Sequence, residues 1–525
     1  MKEKRIRRAE IVIIFAVLAA MILPGLFGGG AAKPKGTAKY SVPADMNGHR
    51  IAAMTGSEYA ELAGRIYPDS EVSLVVNWAD TAMLVSQGKA EGFMVERMDA
   101  QRILKEYPDL AMLDQPIKDM EYSFLTQHND AGVALADEFD AFLSDLRASG
   151  EYTTLRSKWI DQGENDAVLE PCNSDGTRGV LHIATCNDWV PYCYVVEGET
   201  VGFFIELIYR FCERAHYALD MSVVAFDAGF MGVGAGKYDM LAYGYIYSEE
   251  RSTGYTFTDP IDGDELMMLV RRDCVAGAQE TAADAAPEKG FFERIAESFE
   301  KNFLREKRYK MMLSGLGVTL ALSLCAGVTG TLLGALICGM QRSANPYALG
   351  FARLYVKTFQ GMPIVVLLLL LYYVVFGKSS ADAFIVCTLG FSLDFSAYAA
   401  EIFSSGIEAV PRGQFRAALA LGYGRAGAFK DVVLPEAMQH ILPVYRGQFI
   451  TMVKTTAVAG YISVQDLTKV SDIIRSRTYE ALFPLVVTAA IYFLLAGLLV
   501  SLLKFIEVRT DPKKRSRAPK GVTLC

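Results

Sequence analysis

The sequence predicts a two-part fold. An α/β region outside the cytoplasm is followed by an all-α membrane domain of five helices, and one further helix precedes both. Three observations carry this expectation. Charge is segregated: residues 34–290 hold a net −23, residues 291–525 a net +11 and residues 1–33 a net +4, within an overall −8. Five long stretches, 11–32, 311–341, 358–377, 383–393 and 481–503, carry no charged residue. A bilayer core takes about 20 mostly apolar residues per helix. Residues 44–163 and 179–272 alternate short apolar runs with helical patterns, as α/β units do. With 52% hydrophobic and 21% charged residues, the 525-residue chain is too apolar for disorder. It lacks the basic excess of a nucleic-acid binder, so no nucleic acid is expected as a partner.

Residues 1–33 form the first helix. Basic residues, an apolar core and the small run Gly28 to Ala32 resemble a signal peptide. The 22 uncharged residues of 11–32 are long for that role and favour an uncleaved anchor. The 383–393 stretch reaches span length only by continuing past Asp394 towards Phe403. A further span, about 441–463, is apolar despite Arg446 and Lys454. Lys and Arg number five in 1–10, three in 342–357, four in 404–440 and seven in 504–525. With six spans these segments share one side, the cytoplasm. Residues 291–310 carry six Lys and Arg on the opposite side, and their amphipathic pattern reads as a helix lying on the membrane surface.

Neither cysteines nor histidines have metal-site spacing, so no metal is expected. The five cysteines Cys172, Cys186, Cys193, Cys212 and Cys274 read as small buried apolar residues. Gly422 to Gly427 fits G-x-G-x-x-G without a preceding strand, and Gly236-Lys237 lacks the rest of a phosphate loop. No catalytic residue and no ATP site is therefore expected in this chain. Asp394, Glu401 and Lys454 are polar candidates within membrane helices, where a charge is costly and by default functional. Asp394 reads as a candidate for the substrate path or as a hydrogen-bonded interface residue.

Residues 404–440 carry the most specific motif. Gly413 to Gly422 reads G-Q-F-R-A-A-L-A-L-G, and nine residues later comes Val432-Val433-Leu434-Pro435. This resembles the E-A-A-x3-G-x9-I-x-L-P loop of binding-protein-dependent ABC importer permeases. Ala397 to Ile402, Val410 to Gln414, Gln360 to Pro363 and Lys454-Thr455-Thr456 are similar to the polar amino acid branch. The resemblance covers about 300–508, which puts a permease domain at 311–508 and a basic cytoplasmic tail at 509–525. A helix over about 413–421 meets Gly422, where the chain can turn because glycine tolerates positive φ. The resemblance implies that Arg416, Ala417, Ala418, Gly422, Leu434 and Pro435 dock on a separate ATPase. The family's glutamate is Arg416 here.

The exported region resembles a two-lobed amino-acid-binding protein with its halves in reversed order. Leu181 to Ala184, Trp189 to Tyr192, Val201 to Phe203, Phe226 to Ala228, Gly236 to Asp239, Ser248 to Arg251 and Phe257 to Pro260 match the family's first lobe, 179–272. Asn47 to Ile51, Thr55 to Ser57, Gly88 to Gly92, Val95-Glu96 and Phe142 to Trp159 match its second, 44–163. Residues 164–178 are the linker. One half offers a single wall of a cleft, so the expectation is one circularly permuted α/β two-lobed solute-binding domain. Two degenerate binders, or a domain built across a dimer, remain alternatives. Resemblance and ligand chemistry together assign Arg251 to the ligand carboxylate, shared with backbone N–H groups at Gly56 and Ser57. They assign Glu96 to the ammonium, and Trp189 and Phe226 to the side chain. Gly244 and Ile246 replace family serines, and three tyrosines, Tyr243, Tyr245 and Tyr247, share that strand.

The expected function is a multi-pass inner-membrane importer subunit that captures an amino acid outside the cell and translocates it. It needs two ATPase subunits, which bind the ATP, and a second permease subunit, identical or different. A ligand-gated channel or membrane sensor is the alternative, but its helices would be inserted between the lobes.

Overall fold

The computed structural model describes residues 40–510 apart from 56, 76, 162–167, 197, 225, 248–251, 277–290, 378, 380 and 463. The N-terminal helix and residues 511–525 lie outside the described residues. By internal contacts the chain forms two units: residues to Met311 with Ser471–Val487, and Met312–Val470 with the residues from Thr488 on.

The first unit is built on one curled mixed sheet. Its strands are β1 (Ile51–Met54), β2 (Val72–Val75), β3 (Gly92–Glu96), β4 (Leu110–Met112), β5 (Lys118–Gln127) and β6 (Val180–Thr185). A small separate sheet holds β7 (Asp188–Trp189), β8 (Cys193–Val196) and β9 (Glu199–Val201). The main sheet continues with β10 (Ala218–Val223), β11 (Met240–Tyr245), β12 (Tyr255–Phe257) and β13 (Asp262–Arg271). Its order is β10-β6-β11-β5-β13-β3-β1-β2, with β12 on β5 and β4 on β13.

Two long strands cross between the halves. Residues 123–127 of β5 pair with β11 and β12, whereas residues 118–122 pair with β13. Residues 266–270 of β13 pair with β3. Each half-sheet thus completes itself with a strand from the other sequence segment. The parallel pairs β6–β10 and β1–β2 are covered by helices, as a parallel sheet requires. Phe203–Ala215 buries Phe204, Leu207, Ile208 and Phe211, and the Phe211 ring meets Phe139 and Phe142 of helix Asp130–Ala148.

In the second unit, helix Arg308–Gln341, which starts at the boundary, packs on Ala383–Glu408. A Cβ on Gly334 would stand 2.7 Å from the Ala399 Cβ, so only glycine permits this approach. Thr329 with Ser392 (2.5 Å), and Thr331 with Tyr445 (2.5 Å), tie neighbouring helices by hydroxyl pairs.

The membrane reading changes in two places. Residues 358–377 are not one straight helix: helix Pro346–Gly361 and the stretch Ile364–Val375 meet at 106°. Pro363 lacks an N–H and disfavours α backbone at Met362, which is extended at ψ 128°. The expected loop 342–357 is therefore largely helical. Among the described residues three helices are long and apolar enough to cross a membrane, Phe292–Gln341, Ala383–Glu408 and Leu482–Phe505, or four if the bent pair is one span. Leu434–Thr455, the expected fifth, is a 22-residue helix containing Pro443, Arg446 and Lys454. Residues 291–310 begin as helix Phe291–Phe299 and break at Glu306, where φ is +52°.

Candidate functional site

One pocket in the first unit is lined by Met54, Ser57, Glu58, Tyr59, Trp78 and Glu96 from one half, and by Trp189, Tyr243, Gly244, Tyr245 and Ile246 from the other. It holds about 440 Å³ of empty space, its open mouth included. Ser57, Glu96 and Trp189, expected on opposite walls, meet there. Gly56 and Arg251 lie outside the described residues, as does the side chain of Phe226, whose backbone starts helix Phe226–Gly234.

Glu96 ends β3 and immediately precedes helix Arg97–Glu106. That junction drives its carboxylate into the domain, where it is 3% exposed. Its Oε1 accepts the Tyr59 hydroxyl proton, while Oε2 has no hydrogen-bond partner among the described residues. Burial, followed by the nearby charge of Asp99, pushes the Glu96 carboxyl up to about 8. A buried carboxylate oxygen with an open lone pair is what an ammonium group would satisfy.

Asp99, one helical turn further on, was missed in the sequence reading and is equally central. It is 2% exposed, and burial raises its pKa. It accepts the Trp189 indole N–H (3.0 Å), the Arg102 guanidinium (3.3 Å) and the Tyr479 hydroxyl (2.7 Å). Arg102 also donates to the Val190 carbonyl. Asp99 therefore ties the half that carries Glu96 to the half that carries Trp189. Its place in the first turn of the helix that follows Glu96 was the available signal.

Ser57 departs from its expected role. It caps helix Glu58–Ile66, but its N–H donates to the Met54 carbonyl (3.2 Å) and so does its hydroxyl (2.6 Å). In this conformation that N–H is not free for a ligand carboxylate. Trp189 is fixed by rings as well, with Tyr122 at 4.9 Å, Tyr192 at 4.4 Å and Tyr243 at 5.2 Å between centroids.

Gly244 explains part of this packing. A Cβ there would lie 2.6 Å from Trp189 Cζ3 and 2.9 Å from Cη2. The Trp189 ring is pinned by Asp99 and cannot yield. Gly244→Ala is expected to lower the stability of the chain by about 1–3 kcal/mol, the usual range for overpacking. Chemical denaturation checks this, and an unchanged midpoint would refute the contact.

The docking loop forms helix Arg412–Ala420, a turn at Gly422 with φ +88°, then Arg425–Gly427 and a wide turn into Leu434–Thr455. The Gly422 N–H bonds the Leu419 carbonyl (3.0 Å) and the Tyr423 N–H bonds that of Ala418 (3.1 Å), closing the helix end. Ala418 is buried, Leu434 half-buried, and Arg416, Ala417 and Pro435 exposed. Leu421 is 80% and Tyr423 45% exposed at the tip, an apolar surface of the kind a partner covers. A Cβ at Gly422 would meet nothing within 4 Å in this chain. Asp394 and Glu401 are seven residues apart on Ala383–Glu408 and share a face, Asp394 half-buried and Glu401 exposed. Lys454 is exposed at the end of its helix.

Comparison with known proteins matches two regions that overlap over residues 330–385. Residues 330–511 match the family described as binding-protein-dependent transport system inner membrane component. Residues 181–385 match bacterial extracellular solute-binding proteins, family 3. The putative glutamine transport system permease protein GlnP of Rickettsia felis is 32% identical over 37% of this chain and 91% of its own length. The histidine/lysine/arginine/ornithine transport system permease protein HisM of Salmonella typhimurium is 31% identical over 41% and 95%. A crystal structure of an amino acid ABC transporter with histidines shares 37% identity over 39% of this chain and 98% of that chain, at a TM-score of 0.37. On this identity across nearly the whole of a known permease, the chain belongs to the inner-membrane components of binding-protein-dependent transport systems, and it carries a family 3 solute-binding domain in the same polypeptide.

Proposed function

We propose that the chain captures an amino acid in the pocket between its two half-sheets and passes it through its own permease domain. The observation that carries this is the unpartnered Oε2 of buried Glu96, ringed by Tyr59, Trp78, Trp189 and Tyr243 in a chain that also contains a permease. Glu96 and the aromatic rings fit an ammonium pole. In this reading Arg251 binds the ligand carboxylate and Phe226 contributes to binding its side chain, the roles the family resemblance implies. The exchange of β5 and β13 supports one binding domain with its halves in permuted order. The relatives named for glutamine and for histidine, lysine, arginine and ornithine support a polar amino acid as the substrate.

The partners are two ATPase subunits, which bind and hydrolyse ATP, and a second permease subunit. The ATPases dock at Arg416 to Gly422 and Leu434-Pro435. Leu434–Thr455 is the fifth helix of the membrane bundle, and residues 291–299 lie at the outer surface. A channel or sensor is disfavoured because no helix of the permease region separates the two halves of the binder in sequence.

Two experiments test this reading. A thermal-shift screen of the full chain in lipid nanodiscs against the twenty amino acids is expected to find at least one that raises the midpoint by about 5–10 °C at one hundred times its Kd. No stabilisation by any of them would overturn the substrate class. For topology, a thiol introduced at Glu170 should react with a membrane-impermeant maleimide added outside intact cells, and one at Arg416 should not. Labelling at 416 alone would invert the proposed orientation.

A further inference from the structure

We infer that residues 475–479 form a strap that grips both halves of the binding domain in its closed form, with Tyr479 as a positioning residue for Trp189. This rests on the amino acid site proposed above and deepens it. Alternate residues of the strap reach different halves. Arg475, 6% exposed in its side chain, pairs with Asp80 on helix Trp78–Ser86. Arg477 lies over the Tyr194 ring of β8, 4.6 Å from its centroid. Tyr479 donates to Asp99. Asp80 and Asp99 belong to the half that carries Glu96, and Tyr194 to the half that carries Trp189.

The strap is held at its base. Arg477 also pairs with Glu306 (3.1 Å), Thr478 donates to Asn302 (2.9 Å), and Asn302 donates to Glu480 (2.6 Å). Tyr479 has a φ of +52°, which a non-glycine residue adopts at a cost. The surrounding bonds hold it there and aim its ring at Asp99. Asp99 is thus shared between a pocket tryptophan and the strap. When the halves part, Trp189 leaves Asp99 and Tyr194 moves away from Asp80, so the strap keeps only part of its contacts. A segment that binds the closed form better must favour closure, and ligand binding must strengthen the strap by the same factor. The strap runs directly into the apolar helix Leu482–Thr510, so closure is felt where that helix begins.

The test uses the full chain in nanodiscs, titrated with whichever of the twenty L-amino acids stabilises the wild type most. Tyr479→Phe removes one hydrogen bond to a charged group and is expected to weaken binding about 10-fold. Asp80→Asn, away from the pocket, should weaken it in the same direction. Hydrogen exchange of the 475–481 amides should slow when the amino acid is added to wild type and not in Asp80→Asn, a response that a purely structural contact would not give. Wild-type affinity in both variants, or exchange at 475–481 indifferent to ligand, would overturn the strap. Failure of every amino acid to stabilise the wild type would overturn the substrate reading, and the strap with it.

Discussion

Glu96→Gln is expected to weaken amino acid binding by at least about 30-fold, the lower end of the cost of truncating one partner of a buried charge pair. The variant keeps the size of the side chain and its contact with Tyr59, so the loss reads the charge. Wild-type binding should also depend on pH. In the empty pocket Glu96 holds its proton up to about 8, because burial and Asp99 both oppose ionisation. An ammonium ligand needs the ionised form, so binding expels that proton. Affinity should fall as pH drops below about 8, by up to about tenfold per unit, and the slope should vanish in Glu96→Gln. Stability of the empty domain should run the other way. Between the ordinary value of 4.5 and about 8 the folded state keeps a proton that the unfolded state has lost. Stability therefore falls as pH rises through that window, and Glu96→Gln removes that loss. Calorimetric titration at pH 6, 7 and 8 checks the affinity, and thermal denaturation of the empty protein over the same range checks the stability. Wild-type affinity in Glu96→Gln would refute the ammonium site.

Gly422→Val is expected to abolish ligand-stimulated ATP hydrolysis in a complex reconstituted with the ATPase subunits, while amino acid binding stays as in wild type. At φ +88° a side chain with a Cβ costs about 1–2 kcal/mol, more for a β-branched one. Open space around that Cβ means that the chain still folds and that the cost falls on the turn itself. The turn sets the angle between Arg412–Ala420 and the segment leading to Leu434, and it presents Leu421 and Tyr423. Gly422→Ala should show a smaller loss. Full stimulation in the valine variant would refute the docking role.

The apolar stretches 311–341 and 481–503, the helix that ends at Gly422, and the presence of Glu96 and Trp189 as candidate pocket residues were legible in the sequence. They rest on local hydropathy, on one glycine at a helix end, or on motif residues at short spacing. The bend at Met362-Pro363 was not read from the sequence: Pro363 lacks the N–H of a helical bond, but a run of uncharged residues concealed the break. Asp99 was overlooked because an acid one turn after another looks like an ordinary solvated helix face.

The sequence by itself determined which segments are apolar enough for a membrane, where the chain must turn, and which residue types are available to hold an amino acid. Only the tertiary structure decided how they combine. Asp99 meets Trp189 across 90 residues and Tyr479 across 380, β5 and β13 exchange between half-sheets, and the Ser57 amide turns inward to Met54. These contacts follow from packing two half-sheets and their helices against one another. A buried polar group takes whichever partner that packing brings within reach, and spacing along the chain does not encode it.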